Sequence, residues 1–323
     1  DDQIPNDIHV HRLFFSGFTD IKHWMYLIKI LSNINPDVVK TATFFSNTVF
    51  LLLRPFFGYV VVTAEHNTVE IKPHWQRIVD RILLPYSHTI VGDSQMVVDF
   101  VSEAERIDKK YFTVIYNGVD LDAIALAEKT YFPEKVRLRE KYGIPRSAYV
   151  VLTVARLVKQ KNHRLMIESF ADFTHSHGDA YLVIVGEGLL RKELEELIHS
   201  KGVETRVLLL GEHKNVHQFY VIADCFILTS LREGFCVAAM EGLAFGLPLI
   251  STRVAGVSEY LENGKNGFFV DSNPEDISQK LKIVAGLSEE SKRQFKEEGR
   301  NTAQKYSTKR YGDEYNKLFF KCM

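Results

Sequence analysis

Two glutamates eight positions apart, Glu233 and Glu241, stand in the run Thr229-Ser230-Leu231-Arg232-Glu233-Gly234-Phe235-Cys236 and its continuation to Gly246-Leu247-Pro248. An apolar, strand-like segment, Cys225-Phe226-Ile227-Leu228, precedes them, and the small-residue pattern Val237 to Phe245 reads as a helix. Glu233 therefore falls on a strand-to-helix turn and Glu241 inside the helix. Gly234 lets backbone approach a ligand closely, and the free N–H groups of a helix start suit a phosphate. Glu241 is flanked by Ala, Met, Leu and Phe, and a carboxylate in such surroundings is costly to bury unless it is hydrogen-bonded. Sugar hydroxyls would meet that need. Either glutamate alone reads as a solvated surface residue; the pair on this turn is the informative feature.

A second cluster lies at Thr153-Val154-Ala155-Arg156-Leu157-Val158-Lys159-Gln160-Lys161-Asn162. Arg156 and Lys161, at a strand end and in the following loop, can converge on a diphosphate, the guanidinium as a fork and the ammonium as a point charge. The ordinary alternative is a solvated basic loop. Val185-Gly186-Glu187-Gly188 has the look of a nucleotide-binding turn, but Arg191 stands where G-x-G-x-x-G needs its last glycine, which argues against a dinucleotide site. Leu210-Gly211-Glu212 ends a further strand, and His66 ends an earlier one, where the crevice of an open α/β sheet lies. A lone histidine is more often structural. Asp120-Leu121-Asp122 has the D-x-D form of a metal site, yet it belongs to the turn Asn117-Gly118-Val119-Asp120, and no His/Cys/Asp cluster supports it. No metal site is expected. The glutamate pair also fits a glycosidase, but a hydrolase has no need of the Arg156–Lys161 clamp.

The elements that must carry these residues follow from apolar patterning. In the first half, strands are expected at Asn6–Arg12, from Val38, at Tyr59–Thr63, Thr89–Val91 and Phe112–Tyr116, with helices at Ile21–Ile34, Trp75–Leu84 and from Gln95. The Trp75–Leu84 helix carries Trp75, Ile78, Val79, Ile82 and Leu83 on one face and Arg77 and Arg81 off it. In the second half, strands are expected at Tyr149–Val154, Tyr181–Val185, Val207–Leu210, Cys225–Leu228, Leu249–Thr252 and Phe268–Val270, and the tail from Ser288 is helical. Apolar runs alternating with helices imply parallel sheets joined by crossover helices.

At 323 residues the chain suggests two domains. Its 46% hydrophobic and 25% charged residues are ordinary globular composition, and a formal net charge of −1 gives no reason to expect nucleic-acid binding. The three cysteines, Cys225, Cys236 and Cys322, have no paired spacing, so neither disulfides nor zinc is expected, and a reducing, cytoplasmic setting fits. The opening Asp1-Asp2 gives no reason to expect a secretory signal, and the apolar stretch Val49–Val62 is broken by Arg54, Pro55 and Gly58, short of a membrane span.

Ser-x-x-Glu-Gly-Phe with its second glutamate resembles the E-x7-E signature of retaining glycosyltransferases of the GT-B fold, in particular glycosyltransferase family 4. Arg156 to Asn162 resembles that family's G-R-L-x-x-x-K-[GN] motif, with Ala155 in place of glycine. The resemblance implies an α/β GT-B fold of two Rossmann-like parallel-sheet domains facing a cleft. It places an acceptor-side domain at 1–145, a nucleotide-sugar domain at 146–305, and a last helix, 306–323, crossing back to the first. The family's opening strand–helix–strand unit has no counterpart at Asp1–Asp7, so a shortened first domain is expected. By the same resemblance Arg156 and Lys161 stabilise the departing diphosphate, Glu241 holds the ribose hydroxyls, and Glu233 contacts the donor sugar with backbone N–H groups of Gly234 and Phe235 beside it. Gly186 lines the donor cleft, Gly211 meets the nucleobase, and His66 faces the transferred sugar.

The implied reaction is metal-independent transfer of a hexose, with retention, from a UDP- or GDP-sugar co-substrate to a glycan or lipid-linked acceptor hydroxyl, with no cofactor. The implied setting is cytoplasmic, at the inner face of a membrane that the helix Lys72–Arg81 could touch. A nucleotide-sugar-binding protein with little or no transferase activity, and a phosphorylase or hydrolase using the same cleft, are the alternatives.

Overall fold

The computed structural model describes residues 8–66 and 72–322. The chain runs through α1 (Ile21–Ile34), β1 (Val38–Thr41), α2 (Phe44–Phe57), β2 (Val60–Glu65), α3 (His74–Leu83), β3 (Thr89–Gly92), α4 (Gln95–Glu105) and β4 (Phe112–Val114). Their boundaries follow local chemistry. Asp20 caps α1 by accepting from His23 N, and Asn35 in the left-handed conformation ends it before Pro36. Thr43 and Ser46 form a reciprocal capping box at the start of α2, and Gly58 with φ 76° closes it.

Strands β1-β2-β3-β4 pair in parallel in that order. Alternate residues face opposite ways. Val61 and Ile90 pack with Leu27 and Leu31 of α1 and with α2, while Val62, Ala64 and Val91 pack against Tyr315. Tyr315 belongs to α13 (Thr308–Cys322), the last helix described, so the chain's end lies on the first sheet.

Two expectations need correction. Ile8–Arg12 is not a strand, and Asn6 and Asp7 lie outside the described residues. Alternation among histidines gave the pattern, but β1 is the edge of its sheet among the described residues and has no partner beyond it. Helix α3 forms where expected but faces the other way. Trp75, Ile78 and Ile82 are exposed, whereas Asp80 is 1% exposed. Lys72 causes this: its ammonium lies 2.5 Å from Asp80 and 3.2 Å from Glu65 at the end of β2, so a charged cluster, not the apolar face, docks the helix.

The linking helices α5 (Leu121–Tyr131) and α6 (Lys135–Lys141) lead into β5 (Val150–Val154), α7 (His163–Thr174), β6 (Tyr181–Val185), α8 (Arg191–Ser200), β7 (Val207–Gly211), α9 (His217–Ile222), β8 (Cys225–Leu228), α10 (Val237–Ala244), β9 (Leu249–Thr252), β10 (Gly267–Val270), α11 (Pro274–Ala285) and α12 (Glu289–Gln304). These strands form a second parallel sheet in the order β10-β9-β8-β5-β6-β7. Leu152, Phe226 and Leu249 face Phe219, Met240 and Leu243. Val151, Ile227 and Ile250 face Phe170, Ile277 and Leu281 on the other side. Both faces are covered, which is why these strands read as nearly continuous apolar runs. From β5 the order runs one way through β6 and β7 and the other way through β8 to β10. The reversal between β5 and β8 is the switch point outside whose carboxyl ends such sheets bind ligands.

Candidate active site

The loops leaving β5 and β8 carry the two sequence clusters, and the structure joins them. Lys161 Nζ lies 2.5 Å from Glu233 Oε1. Ser230 Oγ donates to the same oxygen at 2.6 Å, and Glu233 is 6% exposed. Leu231 N donates to Gln160 O, and Gln160 Nε2 donates to Arg232 O, so backbone and amide bonds stitch the two loops together. Arg156 follows the end of β5 and is exposed, and among the described residues no hydrogen bond or ion pair engages its side chain. Its guanidinium presents a planar fork of donors.

Gly186 and Gly211 come together at the ends of β6 and β7, where Gly186 N donates to Gly211 O at 2.8 Å. A methyl group on Gly186 would lie 2.1 Å from Ala155 O, so glycine is required for that turn to meet the β5 loop. Arg191 starts α8 and ion-pairs with Glu187 at 2.8 Å; the residue that breaks the dinucleotide pattern holds this turn in place.

Glu241 faces α9. Tyr220 Oη donates to its Oε2 at 2.8 Å, and His217 Nε2 is 4.0 Å from its Oε1. Burial pushes the Glu241 carboxyl above the ordinary range, opposed by the Tyr220 hydrogen bond and by His217. A hydrogen-bonding partner was expected from a ligand; the protein supplies one itself, on Oε2, with the His217 imidazole near Oε1.

The first domain contributes from across the cleft. His66 Nδ1 is 3.7 Å from Asp93 Oδ2, and Asn117 Nδ2 donates to that oxygen at 3.3 Å. Asp93 Oδ1 is buried and has no hydrogen-bond partner among the described residues, and desolvation raises the carboxyl's pKa. Gly234 packs directly on this pair: a methyl group there would sit 2.2 Å from His66 O and 2.6 Å from Asp93 Oδ2. His66, Glu233, Gly234 and Lys161 are thus one constellation. Asn67 and Thr68, which follow His66, lie outside the described residues.

Phe235 turns its ring into an aromatic cluster with Tyr116, Tyr260 and Tyr306, where the two domains and the last helices meet. Cys236 opens α10 at φ 60°, and burial pushes its thiol up to about 12, so it is no thiolate nucleophile. Asp120 caps α5 by accepting from Ala123 N at 2.9 Å, which accounts for the D-x-D lookalike. Among the described residues no group of three or more His, Cys, Asp or Glu could hold a metal ion, and no helix is long and apolar enough to cross a membrane.

Sequence reasoning missed Asp93, His217 and Tyr220. Asp93 gave one signal, a carboxylate at a strand end just ahead of the helix-capping Ser94. The partnership of Tyr220 with Glu241 spans α9 to α10 and left none.

Comparison with known proteins settles the lineage. The family model for glycosyl transferases group 1 matches residues 134–302, and that for glycosyltransferase family 4 matches residues 4–123. The chain belongs to this glycosyltransferase family. It is 33% identical over 175 residues to the alpha-monoglucosyldiacylglycerol synthase of Acholeplasma laidlawii, covering 53% of this chain and 44% of that one. It is 30% identical over 205 residues to a diphospho-undecaprenol 4-alpha-N-acetylgalactosaminyltransferase of Campylobacter jejuni, covering 63% and 52%. The chain spans about half the length of the curated relatives it matches. Among solved structures, Anabaena HepE in complex with UDP superposes with a TM-score of 0.81 at 19% identity, covering 91% of this chain and 82% of that one. That likeness is one of fold. The fold is GT-B, as the sequence led us to expect.

Proposed function

We propose that this glycosyltransferase-family chain moves a hexose from a nucleoside-diphosphate sugar to an acceptor hydroxyl, with retention and without a metal ion. The observation that carries the reading is the Lys161–Glu233 ion pair, which joins the loops after β5 and β8 at the switch point of the second sheet, with exposed Arg156 at the start of the first of those loops. Arg156 and Lys161 receive the charge that develops on the departing diphosphate. Fixed cations of this kind act where charge appears in the transition state and need no reorganisation. Glu233 neutralises Lys161; a donor would take the ammonium with its phosphate and leave Glu233 for the sugar hydroxyls. Glu241, oriented by Tyr220, accepts from the ribose, and Gly186 and Gly211 leave room for backbone to approach the nucleotide. UDP is the favoured nucleotide, because HepE binds it on the same fold.

On the acceptor side, His66 and Asp93 face the donor loop. Relatives named for diacylglycerol and undecaprenol substrates support a lipid-linked acceptor. The outward apolar face of α3, Trp75, Ile78 and Ile82, would then rest on the bilayer interface, where amphipathic aromatic side chains are favoured. Its arginines are otherwise engaged, Arg77 with Ala104 O and Arg81 with Glu105 O, so the contact is apolar and not basic.

Turnover of UDP-glucose and UDP-galactose with a lipid-linked or glycan acceptor tests the proposal, with the product anomer read by proton NMR. An axial product linkage that forms equally in EDTA is expected. An inverted linkage, or strict metal dependence, overturns the mechanism, and donor binding without turnover favours a binding protein.

A further inference from the structure

Glu259 leaves its own domain. It ends a short 3-10 turn, Gly256–Glu259, that follows β9 in the donor-side domain. Its Oε1 accepts from Met96 N at 2.9 Å, and its Oε2 accepts from Gln95 N at 3.2 Å and from Tyr116 Oη at 2.7 Å. Gln95 and Met96 are the first residues of α4 in the other domain. Helix starts leave unpaired N–H groups and partial positive charge, which favour an acid in the first turn. Helix α4 has no acid there, and the hydroxyl of its own cap, Ser94, accepts from Val97 N, not from Gln95 or Met96. The donor-side domain therefore supplies the carboxylate that α4 lacks.

The same turn is fixed to the donor loop. Gly256 N donates to Gly234 O at 2.6 Å, and a methyl group on Gly256 would fall 1.9 Å from that oxygen. At the other end, α4 begins directly after Asp93-Ser94, and Asp93 lies against both His66 and Gly234. The contacts close a ring across the cleft, from Gly234 through Gly256 and Glu259 to α4, then through Asp93 and His66 back to Gly234.

We propose that Glu259 is a positioning residue: its carboxylate ties the donor loop to the start of α4 and so sets Asp93 and His66 opposite Gly234 when the domains are closed. This rests on reading the cleft as the transfer site, but the tie itself is testable without turnover. Glu259 bonds none of the groups assigned to the diphosphate or the ribose, so its loss should separate binding from transfer.

The test compares wild type with Glu259→Ala, Glu259→Gln and Tyr116→Phe. Dyes on exposed Lys29 and Lys201, one in each domain, report the interdomain distance by single-molecule energy transfer. Calorimetry with UDP reports the donor site and whether each variant is folded. Glu259→Ala should broaden the distances toward an open state, leave UDP affinity within about twofold, and lower kcat about ten- to a hundredfold, the equivalent of one charged hydrogen bond or somewhat more. Glu259→Gln keeps one acceptor oxygen and should recover part of both effects. Tyr116→Phe should fall between it and wild type. If Glu259→Ala keeps the wild-type distances, or loses UDP binding in step with kcat, the proposal is wrong. Should no sugar be transferred by wild type itself, the distance measurement still decides the tie while the transfer reading fails separately.

Discussion

Replacing Lys161 by methionine removes an ammonium and keeps most of the stem. Its partner Glu233 is then left with the Ser230 hydroxyl alone, on a side chain only 8% exposed. Breaking a buried ion pair from one side costs about 3–5 kcal/mol, because a charge stays desolvated without its counterion. For a domain of this size that lowers the thermal midpoint by roughly 6 to 20 °C. Removing both charges should not. In Lys161→Met/Glu233→Gln the amide still accepts from Ser230, no bare charge remains, and stability should return to within about 1 kcal/mol of wild type. Urea titration of the four proteins completes a double-mutant cycle. The reasoning is refuted if Lys161→Met alone costs less than about 1 kcal/mol, or if the double variant is no more stable than the single one. The double variant should remain inactive, since both groups belong to the proposed transfer site.

Gly234→Ala would drive a methyl group to 2.2 Å from His66 O and should cut transfer by about a hundredfold or more, since displacements of about 1 Å at a reacting centre have that effect. Tyr220→Phe frees Glu241 from its hydrogen bond and should weaken UDP binding about tenfold in calorimetry. Asp93→Asn has an opposite effect on stability. Burial raises the Asp93 carboxyl's pKa, so its charged form penalises the folded state above that pKa and the penalty vanishes once the group is protonated. The variant should therefore melt higher than wild type at pH 7, match it at acid pH, and still transfer less sugar. Trp75→Glu and Ile82→Glu should reduce sedimentation with phospholipid vesicles while leaving UDP binding intact; unchanged sedimentation would remove α3 from the membrane contact.

The second sheet was legible because both its faces are covered, so that Val150–Val154 or Cys225–Leu228 appears as an unbroken apolar run. The donor loop was legible because its glutamates, glycines and cations occupy fixed local spacings. What escaped the sequence depends on side-chain partnerships that apolar spacing does not record. The facing of α3 turns on Lys72 reaching both Glu65 and Asp80, and hydrophobic spacing cannot report a buried ion cluster. Asp93 gains meaning only when Gly234 of the other domain lies against it, and Glu259 only when α4 does. Ile8–Arg12 failed for the converse reason, an alternating pattern without a partner strand.

The central claim is that the loops after β5 and β8 form a nucleotide site, with Arg156 as a phosphate fork and Glu241 as the ribose acceptor. Calorimetric titration of UDP, GDP and ADP into wild type, Arg156→Ala and Glu241→Ala, with and without EDTA, tests it most directly. We expect one nucleotide, UDP, to bind equally well in chelator and to lose about tenfold or more in affinity in each variant. Binding that survives both substitutions, or no binding of any nucleotide to wild type, would contradict the account.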